Sequence, residues 1–239
     1  SETSYRRTLA RVIRLAPDRI SLFNYAHLPQ RFRSQRRILE DDLPGPAEKL
    51  GILAASIEAL TRAGYVAIGM DHFARPDDEL ARAADAGTLQ RNFQGYSTRA
   101  ECDMLALGVT GISLVGDRYL QNARDLDSYQ ERIGNSELPV ALGVAIDEDD
   151  RVRRDIIMTL MCRFEVDFAA LRSRWGIEVA ERYRDELAAL TPFCRDGLVE
   201  MDADGIRVMP KGRLLIRNVC MVFDRHLPGV ARDRFSKAI

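Results

Sequence analysis

Hydrophobic and polar positions in the first half of the chain alternate between compact apolar runs and stretches of helical period. Residues 4–15 fit a short helix ending near Pro17, and RISLFNYA at 19–26 reads as an apolar strand followed by His-Leu-Pro. The PGP at 44–46 opens a helix striped by Leu50, Leu53, Ile57 and Leu60, and Gly64 ends it. YVAIGM at 65–70 lacks polar alternation, which predicts a strand covered on both faces. Another helix starts in PDDELARAADAG, whose acidic residues suit a first turn. The glycines of DMLALGVTGISLVGD, residues 103–117, predict a bend or break within that apolar stretch. Strands and helices in this order predict parallel βα units with right-handed connections. The strands at 19–24 and 65–70 are expected to be adjacent, with their C-terminal ends on one side.

Two or three such strands are too few to close a barrel and leave a naked sheet edge. The helix at residue 4 has no earlier element to pack against, so the chain is expected to be the back half of a larger unit. The pattern then changes. Residues 133–150 read as a connector holding a brief strand and ending in four acids. Beyond it, Val152, Ile156, Leu160 and Phe164 recur at helical spacing, and Asp167 is placed to cap DFAALRSRWG. Val179, Tyr183, Leu187 and Leu190 stripe a further helix. GLVEMDADGIRVM predicts a hairpin turning near Asp204-Gly205, and Pro210 starts a last helix. The expected fold is α/β plus α+β, with a barrel-like portion and connector over 1–147 and a helical, winged-helix-like domain over 148–239.

Composition changes this picture only by exclusion. The 239 residues are 46% hydrophobic and 30% charged with a formal net charge of -1, a balance that by itself does not predict a polyanionic partner. No run of about 18 apolar residues occurs, and SETSYRRTLARV lacks the apolar core of a signal peptide, so cytoplasm is the expectation. A winged helix raises the question of nucleic acid. From Arg151 to Asp224, however, 13 Lys or Arg face 12 Asp or Glu, and the DADG turn is acidic, which argues against phosphate attraction. Most basic residues are arginine, a side chain suited to bidentate contact with carboxylates or phosphates.

The candidate chemistry gathers at strand ends, where parallel α/β folds carry their sites. NYAH and MDH place His27 and His72 there. His72 has Asp71 beside it, but adjacent residues on an extended backbone face opposite ways, so a direct pair is not required. Arg75, also near a strand end, can meet a bound anion or the Asp77/Asp78 pair. Arg213 and Arg217, four apart on the last helix, can close over a ligand or face solvent. Gln94, between Phe93 and Gly95, has an amide suited to a polar ligand or to bracing a loop. Ile112 reads as core. Cys102, Cys162, Cys194 and Cys220 are too widely spaced for a ligand set, and they read as structural thiols.

FNYAHLP, GMDHFARPDDEL, RNFQGY and KGRLLIRNVCMVFD, in this order, resemble the C-terminal half of oxygen-independent coproporphyrinogen III oxidases. These are radical S-adenosylmethionine (SAM) enzymes of haem biosynthesis, and the resemblance extends over essentially the whole chain. It implies the C-terminal part of an incomplete (β/α) barrel followed by the helical domain. It also implies an N-terminal region whose CxxxCxxC loop holds a [4Fe-4S] cluster; this chain has no such triplet, so alone it is expected to be inactive. The implied reaction converts two propionates of coproporphyrinogen III to vinyls, giving protoporphyrinogen IX, through a 5'-deoxyadenosyl radical released from SAM. The resemblance names no electron donor or acceptor. It places Gln94 and Ile112 around a second SAM, with Tyr25 and Ala26 as looser cofactor-binding candidates; it fixes no catalytic residue, and His72 and Arg75 stand as candidates from their strand-end positions. A haem chaperone of the same superfamily and a winged-helix regulatory or nucleic-acid-binding protein are the alternatives. GMDHFARPDDEL together with the complete C-terminal domain favours the oxidase.

Overall fold

The computed structural model describes residues 1–100 and 102–227. The final stretch of the expected 148–239 domain, residues 228–239, lies outside the described residues. The chain opens with α1 (Glu2–Leu15), capped by Ser1 and closed by Ala16 in the left-handed conformation. β1 (Arg19–Ser21) follows, then two short 3₁₀ turns, and α2 (Pro46–Arg62) with its proline in the first turn. β2 (Val66–Gly69) and β3 (His72–Ala74) form a tight hairpin, and Asp78 caps α3 (Glu79–Asp85).

Here the structure corrects the parallel expectation. The first sheet has the order β1-β3-β2, and both outer strands pair antiparallel with β3. β1 and β2 therefore run in the same direction, but they are separated by a strand. The cause is local: Met70, with φ +48°, turns the chain within two residues, as a hairpin requires, instead of leading into a helix. The 19–26 strand also ends early, at Ser21; one further bond, from Leu22 N–H to Asp71 O, continues it before the backbone leaves the sheet. Nor is 65–70 covered on both faces. Val66 and Ala67 are exposed at the sheet edge, whereas Tyr65 and Ile68 are buried.

β4 (Gln90–Asn92) and β5 (Gly95–Ser97) form a second hairpin. Met104 then makes a single bridge to Leu114, and the chain bends through Gly108–Gly111 before β6 (Ile112–Val115), as the glycines of that stretch predict. β7 (Arg118–Asn122) and α4 (Leu126–Gly134) come next, and β8 (Val140–Ala145) is the strand within the connector. These strands make an antiparallel sheet of order β6-β7-β8.

α5 (Glu148–Arg163) starts on an Asp147 capping box. Val152, Ile156 and Leu160 are fully buried against Val219 and Phe223, each burial worth about 1.5–3 kcal/mol. Cys162, on the same helix, joins a different cluster with Ile68, Leu89 and Tyr96, so α5 ties the two halves together. β9 (Glu165–Asp167) leads into α6 (Phe168–Trp175), with Asp167 accepting from the backbone of Ala169 and Ala170 as its cap. The helix expected over 178–190 is two pieces, α7 (Val179–Arg182) and α8 (Arg184–Ala189), because Tyr183 leaves helical geometry at the junction. After α9 (Thr191–Arg195), β10 (Val199–Met201) and β11 (Gly205–Val208) form the expected hairpin, widened to three strands by β9. A 3₁₀ turn over Gly212–Leu215 precedes α10 (Ile216–Met221).

Candidate functional site

The β2–β3 turn builds the first part of the site. Because Asp71 occupies the turn and not an extended strand, its carboxylate swings alongside its neighbour, and Oδ1 lies 2.8 Å from His72 Nδ1. The direct Asp–His pair that extended geometry left open is thus formed. Oδ2 of Asp71 faces Arg217 of α10 at 3.4 Å, so the carboxylate joins the hairpin to the C-terminal helix. Burial pushes the Asp71 carboxyl up, but the His72 hydrogen bond and the His72 and Arg217 charges outweigh it and hold the group below its ordinary range. With Nδ1 donating to Asp71, Nε2 of His72 is left to face Gly95, where an added Cβ would stand 3.3 Å away. Phe23 and Tyr96 pack their rings edge-on to His72, at 5.6 and 5.1 Å between centroids.

The β4–β5 hairpin supplies the second part. Its turn presents Phe93 and Gln94 to solvent, and Asn92 Oδ1 accepts from the Gln94 N–H at 2.8 Å. Gly95 has φ +123°, a conformation that side chains rarely tolerate, and this brings the turn close over His72. Tyr96 is anchored from below, donating to Met161 O at 3.0 Å, while the Arg91 guanidinium lies 5.3 Å from its ring centre. Burial, with a smaller push from the nearby Cys162, raises the Tyr96 phenol well above its ordinary value.

Two cavities flank this hairpin. One, of 540 Å³, is lined by Phe93, Ile112, Tyr119 and Gln121 on one side and by α5 and residues 223–226 on the other. Phe93 meets Tyr119 edge-on at 5.4 Å. The other, of 660 Å³, lies between β4 and α5 and shares Phe93, Tyr119, Arg154 and Met158 with the first.

Known proteins carry the same sequence over this framework. Residues 146–215 match the family described as HemN C-terminal domain. An oxygen-independent coproporphyrinogen III oxidase of Pseudomonas aeruginosa is 50% identical over 236 residues, covering 99% of this chain and 51% of that protein. The Thermostichus vulcanus protein of the same name is 44% identical over 237 residues, covering 99% of this chain and 73% of that protein. The chain belongs to the oxygen-independent coproporphyrinogen III oxidase family. An Escherichia coli structure, described as coproporphyrinogen III oxidase (HemN) and a radical SAM enzyme, matches with a TM-score of 0.89 at 48% identity. That match covers 95% of this chain and 52% of the solved one. The fold is accordingly the C-terminal part of an incomplete radical-SAM barrel followed by a mainly helical domain. The chain spans about half the length of the Pseudomonas and Escherichia relatives.

Within this family member the candidates separate. His72 and Gln94 come together through Gly95 and Tyr96, and Ile112 joins Phe93 at the smaller cavity. Arg75 does not join them. It follows the end of β3 beside the start of β1, its N–H donating to Asp18 O, and its guanidinium reaches Asp77 at 4.0 Å. Asp78, the other carboxylate considered for Arg75, pairs instead with Arg19 at 2.8 Å. Arg75 is therefore at the opposite end of the sheet from His72, because β3 runs antiparallel to its neighbours. Arg213 lies over the Phe164 ring at 4.6 Å, whereas Arg217 reaches the site through Asp71. Tyr25 is half exposed beside His27, and the Ala26 carbonyl accepts from Gln35 Nε2 at 3.0 Å, so Gln35 braces that loop.

Among the described residues, no three His, Cys, Asp or Glu side chains group to hold a metal. No helix among them is long and apolar enough to cross a membrane. Tyr96, Arg91 and Arg154 line this region but were not singled out from the sequence. The RNFQGY motif and the suitability of arginine for bidentate anion contacts were the available signals.

Proposed function

We propose that this chain is the C-terminal portion, divided near residue 147, of a cytoplasmic enzyme acting on coproporphyrinogen III. The enzyme would convert two of its propionates to vinyls, giving protoporphyrinogen IX. The family membership carries this reading, supported by 50% identity to the Pseudomonas aeruginosa oxidase across 99% of the chain. A [4Fe-4S] cluster with SAM would supply one-electron cleavage and hydrogen abstraction when bound. The cysteines here do not suit that cluster: Cys162 and Cys220 are buried with no third ligand grouped beside them among the described residues, and Cys102 is exposed. Its ligands are assigned to sequence outside these 239 residues.

The residues present suit a SAM molecule better. The Gln94 amide is exposed and offers both a donor and an acceptor to a polar end group. Phe93 and Ile112 offer an apolar wall beside it, with Tyr25 and Ala26, in the loop that follows β1, as the looser contacts. Asp71 orients His72, and His72 supports the Gly95 backbone that carries the turn. Their role is to hold the turn in place while Gln94 and Phe93 meet the ligand.

The test uses the full-length protein under anaerobic reducing conditions, with coproporphyrinogen III, SAM and Gln94→Ala. The expected result is two vinyl groups formed by the native protein. The variant should keep its iron–sulfur absorbance but hold less SAM per cluster, through a weakened second SAM site, and lose about tenfold in turnover, equivalent to one charge-free hydrogen-bonding site of about 1.4 kcal/mol. A native protein that forms no vinyl product overturns the reaction, and unchanged SAM occupancy in the variant removes Gln94 from the site.

A further inference from the structure

We propose that the 660 Å³ cavity between β4 and α5 binds the carboxylate arms of a polycarboxylate with a flat apolar body. The proposal rests on the substrate reading above and deepens it: the tetrapyrrole's propionates are the carboxylates in question.

The charge in this cavity is unbalanced. Six arginines line it against three carboxylates, and two of those carboxylates are already engaged. Asp155 accepts from Trp175 Nε1 at 2.7 Å and faces Arg174 at 3.6 Å, while Asp167 caps α6. On the cationic side, Arg91 Nε, Arg151 Nε and Arg154 Nη1 are buried without any hydrogen-bond partner among the described residues. A desolvated guanidinium N–H left unpaired is costly, so unfilled donors of this kind point to an anion from outside.

The arrangement is also held ready. Arg91 is fixed over the Tyr96 ring, and Arg151 is tethered by Asp117 at 3.5 Å. Arg151 and Arg154, three apart on α5, present their forks from one helix face, with Arg91 coming from the hairpin. A planar fork with free donors matches a carboxylate, which accepts two parallel N–H bonds. Between the arginines the wall is apolar and aromatic, with Phe93, Tyr119, Met158 and Trp175. Ring faces beside guanidinium forks suit a flat apolar ligand with anionic ends better than a small inorganic anion.

The single tryptophan of the chain, Trp175, lines the cavity and reports on it. Coproporphyrin III, a stable tetrapyrrole tetracarboxylate, is titrated into the full 239-residue chain and fluorescence quenching is followed. Arg154→Met is expected to weaken binding at least tenfold, about 1.4 kcal/mol, with partial recovery in Arg154→Lys. Arg207→Met, on the exposed face of β11, should change it less than about twofold. The tetramethyl ester of coproporphyrin III, and native protein in excess inorganic phosphate, supply arms that need no variant. The ester should bind at least tenfold more weakly than the acid, and phosphate should not displace the acid.

An Arg154→Met chain that binds like the native one overturns the proposal. So does an equal loss in Arg207→Met, an ester that binds as tightly as the acid, or ready displacement by phosphate. If Arg154→Met does not fold, Arg91→Met on the opposite wall takes its place with the same expected loss. These readouts are equilibrium binding, whereas the reaction is judged by vinyl product. A native chain that binds no coproporphyrin removes the cavity proposal alone. A full-length enzyme that forms no vinyl removes the reaction alone.

Discussion

Replacing Gly69 with alanine tests how closely the first sheet is fitted to the hairpin that carries Gln94. A Cβ on Gly69 would overlap the Tyr96 hydroxyl and stand 2.8 Å from its Cζ and 3.3 Å from Met161 O. Tyr96 has little room to retreat. Its hydroxyl donates to Met161 O at 3.0 Å, its ring abuts His72, and only 8% of it is exposed. Overpacking of this kind costs about 1–3 kcal/mol, and displacing the hydroxyl forfeits a buried hydrogen bond worth about 1 kcal/mol. Alanine recovers about 0.5–1 kcal/mol through its smaller loss of backbone freedom. The expected net destabilisation is about 1–3.5 kcal/mol. Tyr96→Phe alone should cost about 1–2 kcal/mol, chiefly from the Met161 carbonyl left unpaired. Because it also removes the worst overlap, the double variant should be less destabilised than the sum, by about 1 kcal/mol. Equilibrium urea unfolding, with midpoint and slope both recorded, measures all three. A Gly69→Ala midpoint equal to that of the native chain, or strict additivity in the double variant, would refute the reasoning.

Two further expectations concern α5 and the thiols. Burial raises the Asp149 carboxyl, but hydrogen bonds from Arg153, Arg182 and Tyr183 outweigh it and bring the group down to about 2. Its folded value is depressed, so the stabilisation is present above its ordinary value of 3.8 and is lost as pH falls toward 2. The full shift converts to about 2.4 kcal/mol, which solvent screening at this partly open site reduces to about 1–2 kcal/mol. Asp149→Asn should show that deficit in urea midpoints at pH 7 and converge on the native chain near pH 2; a gap independent of pH refutes it. Burial also pushes the thiols of Cys162 and Cys220 up, to about 11 and about 12, whereas Cys102 is exposed. Iodoacetamide at about pH 8, followed by peptide mass spectrometry, should therefore modify Cys102 first, and faster labelling of Cys162 would contradict the packing.

Local features were legible where local forces decide them. The Pro46 start of α2, the helix start within PDDEL, the Asp167 cap, the break within 103–117 and the turn near Gly205 each depend on backbone conformation or short-range hydrogen bonds. The buried stripe Val152, Ile156, Leu160 was equally readable, because its period matches a helix that must cover one face. The motifs GMDHFARPDDEL and NFQGY carried the family, since many residue types in fixed order are more specific than any periodicity.

Tertiary structure alone decided how those pieces meet. The apolar run at 65–70 is compatible with a parallel or an antiparallel neighbour, and the two-residue turn at Met70–Asp71 chose the latter, sending Arg75 away from His72. The same turn freed Asp71 to bond His72 and to reach Arg217, 146 residues later. No local pattern encodes that distance. The unpaired donors of Arg91, Arg151 and Arg154 are similarly invisible in sequence, where an arginine on a helix reads as solvated. Whether a charge has water or a partner depends on what packs over it, and that is settled only when β4 and α5 close around the cavity.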